Sequence, residues 1–310
     1  MSFTAEVKDE LSRLDPIHPE DDIAELSALI KVCGTLSLTG SGGYSLRIAT
    51  ETGSVARSII RYAHNVFNLE TTFTPRRSLL HKSRNYLIEI ASQPHLKDAL
   101  ARLGILVPGK GLLPGIPASL VHEPHQQAAF LRGIFMAGGF IADPRADFHL
   151  ELCVGNEQLA QHLLVLLTHL HISARLNKRR GAFAIYLKNY GDIERLLLFM
   201  GAKKTAKATQ NARRLKSVKN NVNRVVNAEM ANQRRATEAA ANQIALVERV
   251  RDEVGYDNLS DALKQFCEAR IKMPEASLTQ LGELMEPKAS KSAMYHRLLR
   301  LQELVDAPTK

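Results

Sequence analysis

Apolar positions recur along this chain with two different periods, and the order of the periods repeats. Residues 26–34 are apolar on nearly every side, which is the pattern of a buried helix. Residues 35–38 and 44–49 alternate as strands do, and residues 55–67 return to helical spacing. Residues 69–73 and 86–90 read as strands, and a helix over 96–103 stops at Gly104. The same sequence of periods starts again at 131–139, another all-round apolar helix. It continues through a strand at 148–154, a helix at 158–170 and strands at 174–177 and 183–187. A helix over 192–200 closes it, stopping at Gly201. The prediction is a helix–strand–strand–helix–strand–strand–helix unit, present twice.

The last third changes character. Residues 227–306 read as all helix, with an Ala-rich run over 231–251, a turn at 255–258, and a helix over 259–271 that Pro274 ends. Ser277 and Gln280 form a capping box ahead of Leu278, Leu281, Leu284 and Met285, which share a face. Residues 286–289 break this short helix. Ser290 or Ser292 then caps another, whose Met294, Leu298, Leu301 and Val305 face the core. A short helix, a tight break and a second amphipathic helix form a helix-turn-helix plan. The expected organisation is an N-terminal helix (1–20), a first repeat (21–104), a loop (105–123), a second repeat (124–202), a basic linker (203–226) and a helical domain (227–310). The fold class is α+β for the double repeat and all-α for the C-terminal domain.

Charge sharpens this division. The 310 residues carry 41 basic and 32 acidic groups, net +9. Residues 201–251 alone hold 12 basic against 3 acidic groups, which equals the whole excess. Leu215, Val218, Val222 and Val225 recur there at helical spacing, so the segment reads as a basic amphipathic helix or a pair of helices. A basic helical stripe attracts a polyanion, and nucleic-acid phosphate is the commonest one. Arg213, Arg214, Lys216, Lys219 and Arg224 are the expected phosphate contacts. A membrane surface is disfavoured because the stripe lacks Phe or Trp anchors. In the second helix of the helix-turn-helix, Ser292, His296 and Arg300 are placed to meet base edges, Tyr295 flanks them, and Ser290 stands at the start. Lys288, Lys291 and Arg297 suit phosphates.

Other chemistry is thin. Cys33, Cys153 and Cys267 are scattered and form no CxxC, the eleven histidines form no HExxH, and no glycine run fits a phosphate-binding loop. No metal site or cofactor is expected. The first residues lack a basic and apolar leader and no apolar run reaches membrane length, so a cytoplasmic location is expected.

The two all-apolar helices ending in Gly34 and Gly139 resemble the paired motif of LAGLIDADG homing endonucleases. Residues 26–34 keep Leu26, Leu29, Ile30 and Gly34, and residues 131–139 keep Leu131, Gly133, Ile134, Ala137 and Gly139. That resemblance implies two helices packed at a pseudo-twofold and a β-saddle from both halves. It also implies a metal-binding acid just before each final glycine. Those positions are Cys33 and Gly138 here. A hard divalent cation needs oxygen ligands, so an active nuclease is not expected.

A degenerate double repeat followed by a sigma-like helix-turn-helix resembles the WhiA family of bacterial regulators over the whole chain. The stretches that carry it are 2–11, 223–232, 277–284 and 290–298. The resemblance implies a non-enzymatic transcription regulator of cell division, chromosome segregation and, in sporulating actinobacteria, sporulation. It also implies promoter or operator DNA as partner, a nucleoid-associated location, and a WhiB-type regulator or RNA polymerase as protein partner. The competing reading is a nucleoid-associated or RNA-binding module on a maturase-like scaffold. A reading helix favours duplex DNA, whose major groove admits it, over RNA.

Overall fold

In this computed structural model, residues 2–16, 18–40, 42–77, 84–179 and 181–306 are described. Two compact units divide the chain, Met1–Lys216 and Ser217–Lys310.

The first unit opens with α1 (Phe3–Ser12) and then builds the expected repeat twice. The first copy is α2 (Pro19–Cys33), β1 (Gly34–Leu38), β2 (Tyr44–Thr50), α3 (Gly53–Phe67), β3 (Thr72–Arg77), β4 (Arg84–Ile90) and α4 (Leu96–Arg102). A two-stranded hairpin, β5 (Leu106–Val107) and β6 (Gly111–Leu112), lies in the segment expected to be loop. The second copy is α5 (Pro124–Gly138), β7 (Gly139–Ile141), β8 (Leu150–Val154), α6 (Glu157–His169), β9 (Arg175–Arg179), β10 (Ala182–Leu187) and α7 (Tyr190–Met200). Each copy makes one antiparallel sheet of the same strand order, β1-β2-β4-β3 and β7-β8-β10-β9. The strand expected over 148–154 begins only at Leu150, and β7 precedes it unread. Three residues continuing an apolar helix are too few to show alternation.

The centre of this unit is α2 packed along α5. Both are buried over their middle turns, as all-round apolarity requires. Gly133 permits the close approach: a Cβ there would collide with the Glu25 carbonyl and the Ala28 methyl. Polar groups lie in the same interface and are paired. Arg132 Nε donates to Glu25 at 2.7 Å, and the Tyr62 hydroxyl donates to the other carboxylate oxygen at 2.6 Å. Asp21 meets the His125 ring at 2.5 Å.

The remaining α-helices are α8 (Lys203–Glu253), α9 (Asp261–Lys272), α10 (Leu278–Glu283) and α11 (Lys291–Asp306). α8, 51 residues long, runs through residue 226, where the basic linker is expected to meet the helical domain. No glycine or proline interrupts residues 203–253, so nothing in the backbone ends the helix before Gly255. Its first turn is capped from a distance. The Glu10 carboxylate accepts from the backbone N–H of Lys204 at 2.7 Å and of Thr205 at 3.0 Å, and from the Thr205 hydroxyl at 2.6 Å. A carboxylate there satisfies orphan donors and complements the helix dipole.

The second unit has its own core, with Val247, Val250, Phe266, Cys267, Leu281, Met294 and Leu301 at its centre. Leu284 does not join it and is 53% exposed. The helix ends at Glu283, so Leu284 falls in the turn and leaves the apolar face. Arg270 is buried and donates to the carbonyls of Pro274 at 3.1 Å and Ala276 at 2.6 Å, and to Gln243 at 2.6 Å. This cation fixes the 273–276 turn from inside.

Candidate nucleic-acid interface

The helix-turn-helix is α10, the 284–290 turn and α11. Ser277 and Gln280 make the reciprocal bonds of a capping box at the start of α10. At α11 the cap is Ser290, whose Oγ accepts from Ala293 N at 3.2 Å. That hydroxyl is committed to the helix, while Ser292 makes no side-chain hydrogen bond among the described residues.

With Met294, Leu301 and Val305 buried, helical geometry turns Ser292, His296 and Leu299 outward. Ser292, His296 and Arg300 are exposed, as are Lys288 and Lys291 beside the turn. Arg300 is tied to Glu303 at 2.8 Å, an exposed pair that a phosphate could displace. Arg297 is half-buried, with its guanidinium 3.9 Å from the Met294 sulfur, so it flanks the outward face rather than standing on it. Tyr295 lies on the opposite flank and lines a groove with Leu298, Leu246 and Gln243.

Of the five expected cations of α8, Arg213, Lys216, Lys219 and Arg224 fall within about 140° of arc, away from the apolar residues, and Arg214 stands apart. Arg214, Lys219 and Arg224 are spaced five residues apart, and each such step turns the helix by about 140°. They wrap the helix, and all three are exposed. Arg213 and Lys216 are engaged within the first unit. The Arg213 guanidinium stacks on Tyr190 with 4.2 Å to the ring centroid, and the Lys216 ammonium lies 4.7 Å from that of Phe148. Lys216 also donates to the Ala146 carbonyl at 2.9 Å. The apolar residues share another face: Leu215, Val218, Val222 and Val225 are all more than half exposed.

Cys33 and Gly138 stand at the ends of the two repeat helices. Burial pushes the Cys33 thiol up to about 12, and its Sγ lies 3.0 Å from the Leu29 carbonyl oxygen. The Lys8 ammonium of α1 stands close enough to Cys33, Cys153 and Glu51 to feel their charge, and burial lowers its pKa. At Gly138 a Cβ would collide with the backbone carbonyl of Cys153. Among the described residues, no cluster of three or more His, Cys, Asp or Glu is arranged to hold a metal ion.

Sequence reasoning named no residue on the sheets, because single exposed cations on short strands give no periodic signal. In the second sheet Leu150, Leu152 and Val154 face the core, so Glu151 and Cys153 face the other way. Register places Tyr186 and Phe140 opposite Glu151, and Arg175 opposite Tyr186. This open face therefore carries Phe140, Tyr186, Arg175 and Arg179. In the first sheet Arg47 stands on the equivalent face, paired with Glu89 at 2.8 Å.

Three family profiles match the chain in order. They are a WhiA N-terminal LAGLIDADG-like domain over residues 19–106, a WhiA LAGLIDADG-like domain over 127–219, and a WhiA C-terminal HTH domain over 222–305.

The chain belongs to the WhiA family.

Relatives extend over nearly its full length. A probable cell division protein WhiA of Desulfitobacterium hafniense (strain Y51) is 37% identical over 307 residues, covering 99% of this chain and 96% of the relative. The protein of the same name from Heliobacterium modesticaldum is 35% identical, covering 99% and 97%. The crystal structure of full-length WhiA from Thermatoga maritima superposes with a TM-score of 0.62 at 22% identity, covering all of both chains. The N-terminal LAGLIDADG domain of WhiA superposes with a TM-score of 0.52 at 21% identity, over 64% of this chain and 90% of that one. The double repeat and the helical C-terminal domain are thus the WhiA architecture. Among the described residues, no helix is long and apolar enough to cross a membrane.

Proposed function

We propose that this chain is a sequence-specific, non-enzymatic DNA-binding regulator that acts in cell division by controlling transcription. The observation that carries the proposal is the outer face of α11. Ser292 and His296 are exposed on its first two turns, between Lys288 and Lys291 on one side and Arg300 on the other. Hydroxyl and imidazole groups read base edges, and the surrounding cations and the helix N-terminus take phosphates. Arg214, Lys219 and Arg224 add affinity without sequence preference. The open faces of the two sheets, with Arg47, Arg175 and Arg179, offer a second surface for DNA or for a protein such as RNA polymerase or a WhiB-type regulator.

Nuclease chemistry is disfavoured by what stands at the repeat-helix ends. Cys33 is a half-buried thiol, Gly138 has no room for a side chain, and the Lys8 cation acts on Cys33. Two-metal cleavage needs carboxylate oxygens at that place.

The test is genome-wide crosslinking of the tagged protein, followed by duplex binding at the strongest site. Discrete promoter peaks are expected, with selectivity lost in Ser292→Ala/His296→Ala. A diffuse nucleoid-wide signal, or unchanged selectivity in that variant, would replace sequence-specific regulation with an architectural role. Segregation and sporulation roles, implied by the family resemblance, are tested by deletion phenotypes.

A further inference from the structure

A recess between the end of α1 and the start of α3 is lined by Ser12, Arg13, Ser54, Arg57, Ser58 and Arg61. Three arginines line it, and among the described residues no carboxylate does. Two of the three have partners. Arg13 pairs with Asp9 at 2.8 Å, and Arg61 is within the influence of Asp22 and Glu25 from α2 and lies 3.3 Å from the Tyr62 hydroxyl. Arg57 is exposed and has no ionic partner among the described residues.

Two independent features mark the recess as incomplete. Ser54 is 7% exposed, and its Oγ has no hydrogen-bond partner among the described residues. Buried hydroxyls are almost always paired, so an orphan beside three arginines points to an absent acceptor. Ser54 is also the second residue of the 15-residue α3, whose preceding Thr52 makes no side-chain cap bond and whose first turn holds no acidic residue. Its N–H groups and dipole therefore favour an anion. The other serines are accounted for: Ser58 Oγ donates to the Ser12 carbonyl at 3.0 Å, and Ser12 Oγ to the Asp9 carbonyl at 2.9 Å.

We infer that this recess binds a phosphorylated small molecule through a phosphate group held by Arg57, Arg61, the Ser54 hydroxyl and the first turn of α3. Guanidinium forks match phosphate oxygens, and a phosphate supplies the acceptors that Ser54 lacks. Duplex DNA does not suit the place. α3 packs on β2 and β4 over the face that buries Leu46 and Ile48, so the recess lies across the sheet from the open face with Arg47. The inference does not depend on the DNA-binding reading.

The experiment titrates the full chain with inorganic pyrophosphate, and separately with inorganic phosphate, at constant ionic strength against chloride. Heat of binding and thermal midpoint are the readouts. Saturable binding at one site and a raised midpoint are expected. Arg57→Ala should weaken it roughly tenfold or more, since one charge-assisted pair is lost from an exposed residue that the fold does not use. Ser54→Ala should also weaken it while leaving the anion-free protein at least as stable, because the lost hydroxyl had no partner. Arg214→Ala/Lys219→Ala should leave it unchanged. The inference is overturned by absence of saturable binding to either anion, or by binding that survives both Arg57→Ala and Ser54→Ala. Loss of binding in Arg214→Ala/Lys219→Ala, or displacement of pyrophosphate by short duplex DNA in that variant, overturns it equally.

Discussion

Arg132, on the interface helix of the second repeat, donates its Nε at 2.7 Å to Glu25 on the interface helix of the first. Both side chains are nearly excluded from water, at 12% and 3% exposure. Burial drives the Glu25 carboxyl upward, while Arg132 and the Tyr62 hydroxyl pull it back toward the charged form. A buried ion pair of this kind contributes little over an apolar pair, but a broken one leaves a stranded charge. Arg132→Leu is therefore expected to destabilise the first unit by about 3–5 kcal/mol. Arg132→Leu combined with Glu25→Met should recover most of that loss. Denaturant unfolding of the single and double variants measures the difference, and equal losses would deny the coupling.

Lys31 supplies a pH signature. Its ammonium donates to the Gly104 carbonyl at 3.0 Å and the Leu113 carbonyl at 2.8 Å, tying α2 to the segment after α4. Burial lowers its pKa from 10.5 to about 8. In the window between those values the unfolded chain holds a proton that the folded chain has released. Stability should therefore rise with pH through that window as far as this group is concerned. Lys31→Met should flatten the rise, read from thermal midpoints at about pH 7.5 and pH 9.5. A slope unchanged by the substitution would place the titration elsewhere.

The two kinds of DNA contact should separate by salt. Replacing Arg214, Lys219 and Arg224 with alanine should weaken specific and random duplexes alike and reduce the log–log salt slope by up to about 3. Ser292→Ala and His296→Ala should lower affinity for the preferred site and leave random DNA nearly unaffected. Fluorescence anisotropy across a salt series reads both. Identical behaviour of the two sets would dissolve the division. Arg213→Ala is expected to behave differently from Arg214→Ala, since its guanidinium rests on Tyr190.

Restoring an acid at a repeat-helix end should fail. Gly138→Asp pushes a Cβ into the Cys153 carbonyl, which backbone on a central strand cannot yield cheaply. A loss of about 1–3 kcal/mol or more is expected, without magnesium-dependent cleavage of duplex DNA. Cleavage products on a gel would refute this account of the site.

The periodic parts of the fold were legible in the sequence. Both all-apolar helices, the doubled order of elements and the Ser277 capping box stand where their patterns put them, because burial and capping are local rules. Three features were not legible, and each depends on position in space. The Glu10 carboxylate that holds the first turn of α8 lies 195 residues away from Thr205 in the chain. The rings of Tyr190 and Phe148, distant in sequence, occupy Arg213 and Lys216. The recess around Arg57 joins residues more than forty positions apart, Ser12 to Ser54, and no motif spans that distance.

The bond from Glu10 to Thr205 spans 195 residues of chain. A ribosome releases α1 first and the start of α8 long afterwards. Until then the carboxylate that will hold the first turn of α8 has nothing to hold. The two sheets can be complete while α8 still lacks its cap, so α8 becomes anchored only when the rest of the first unit has been made. A chain cut back past Glu10 would keep every strand and still lose the anchor of its longest helix.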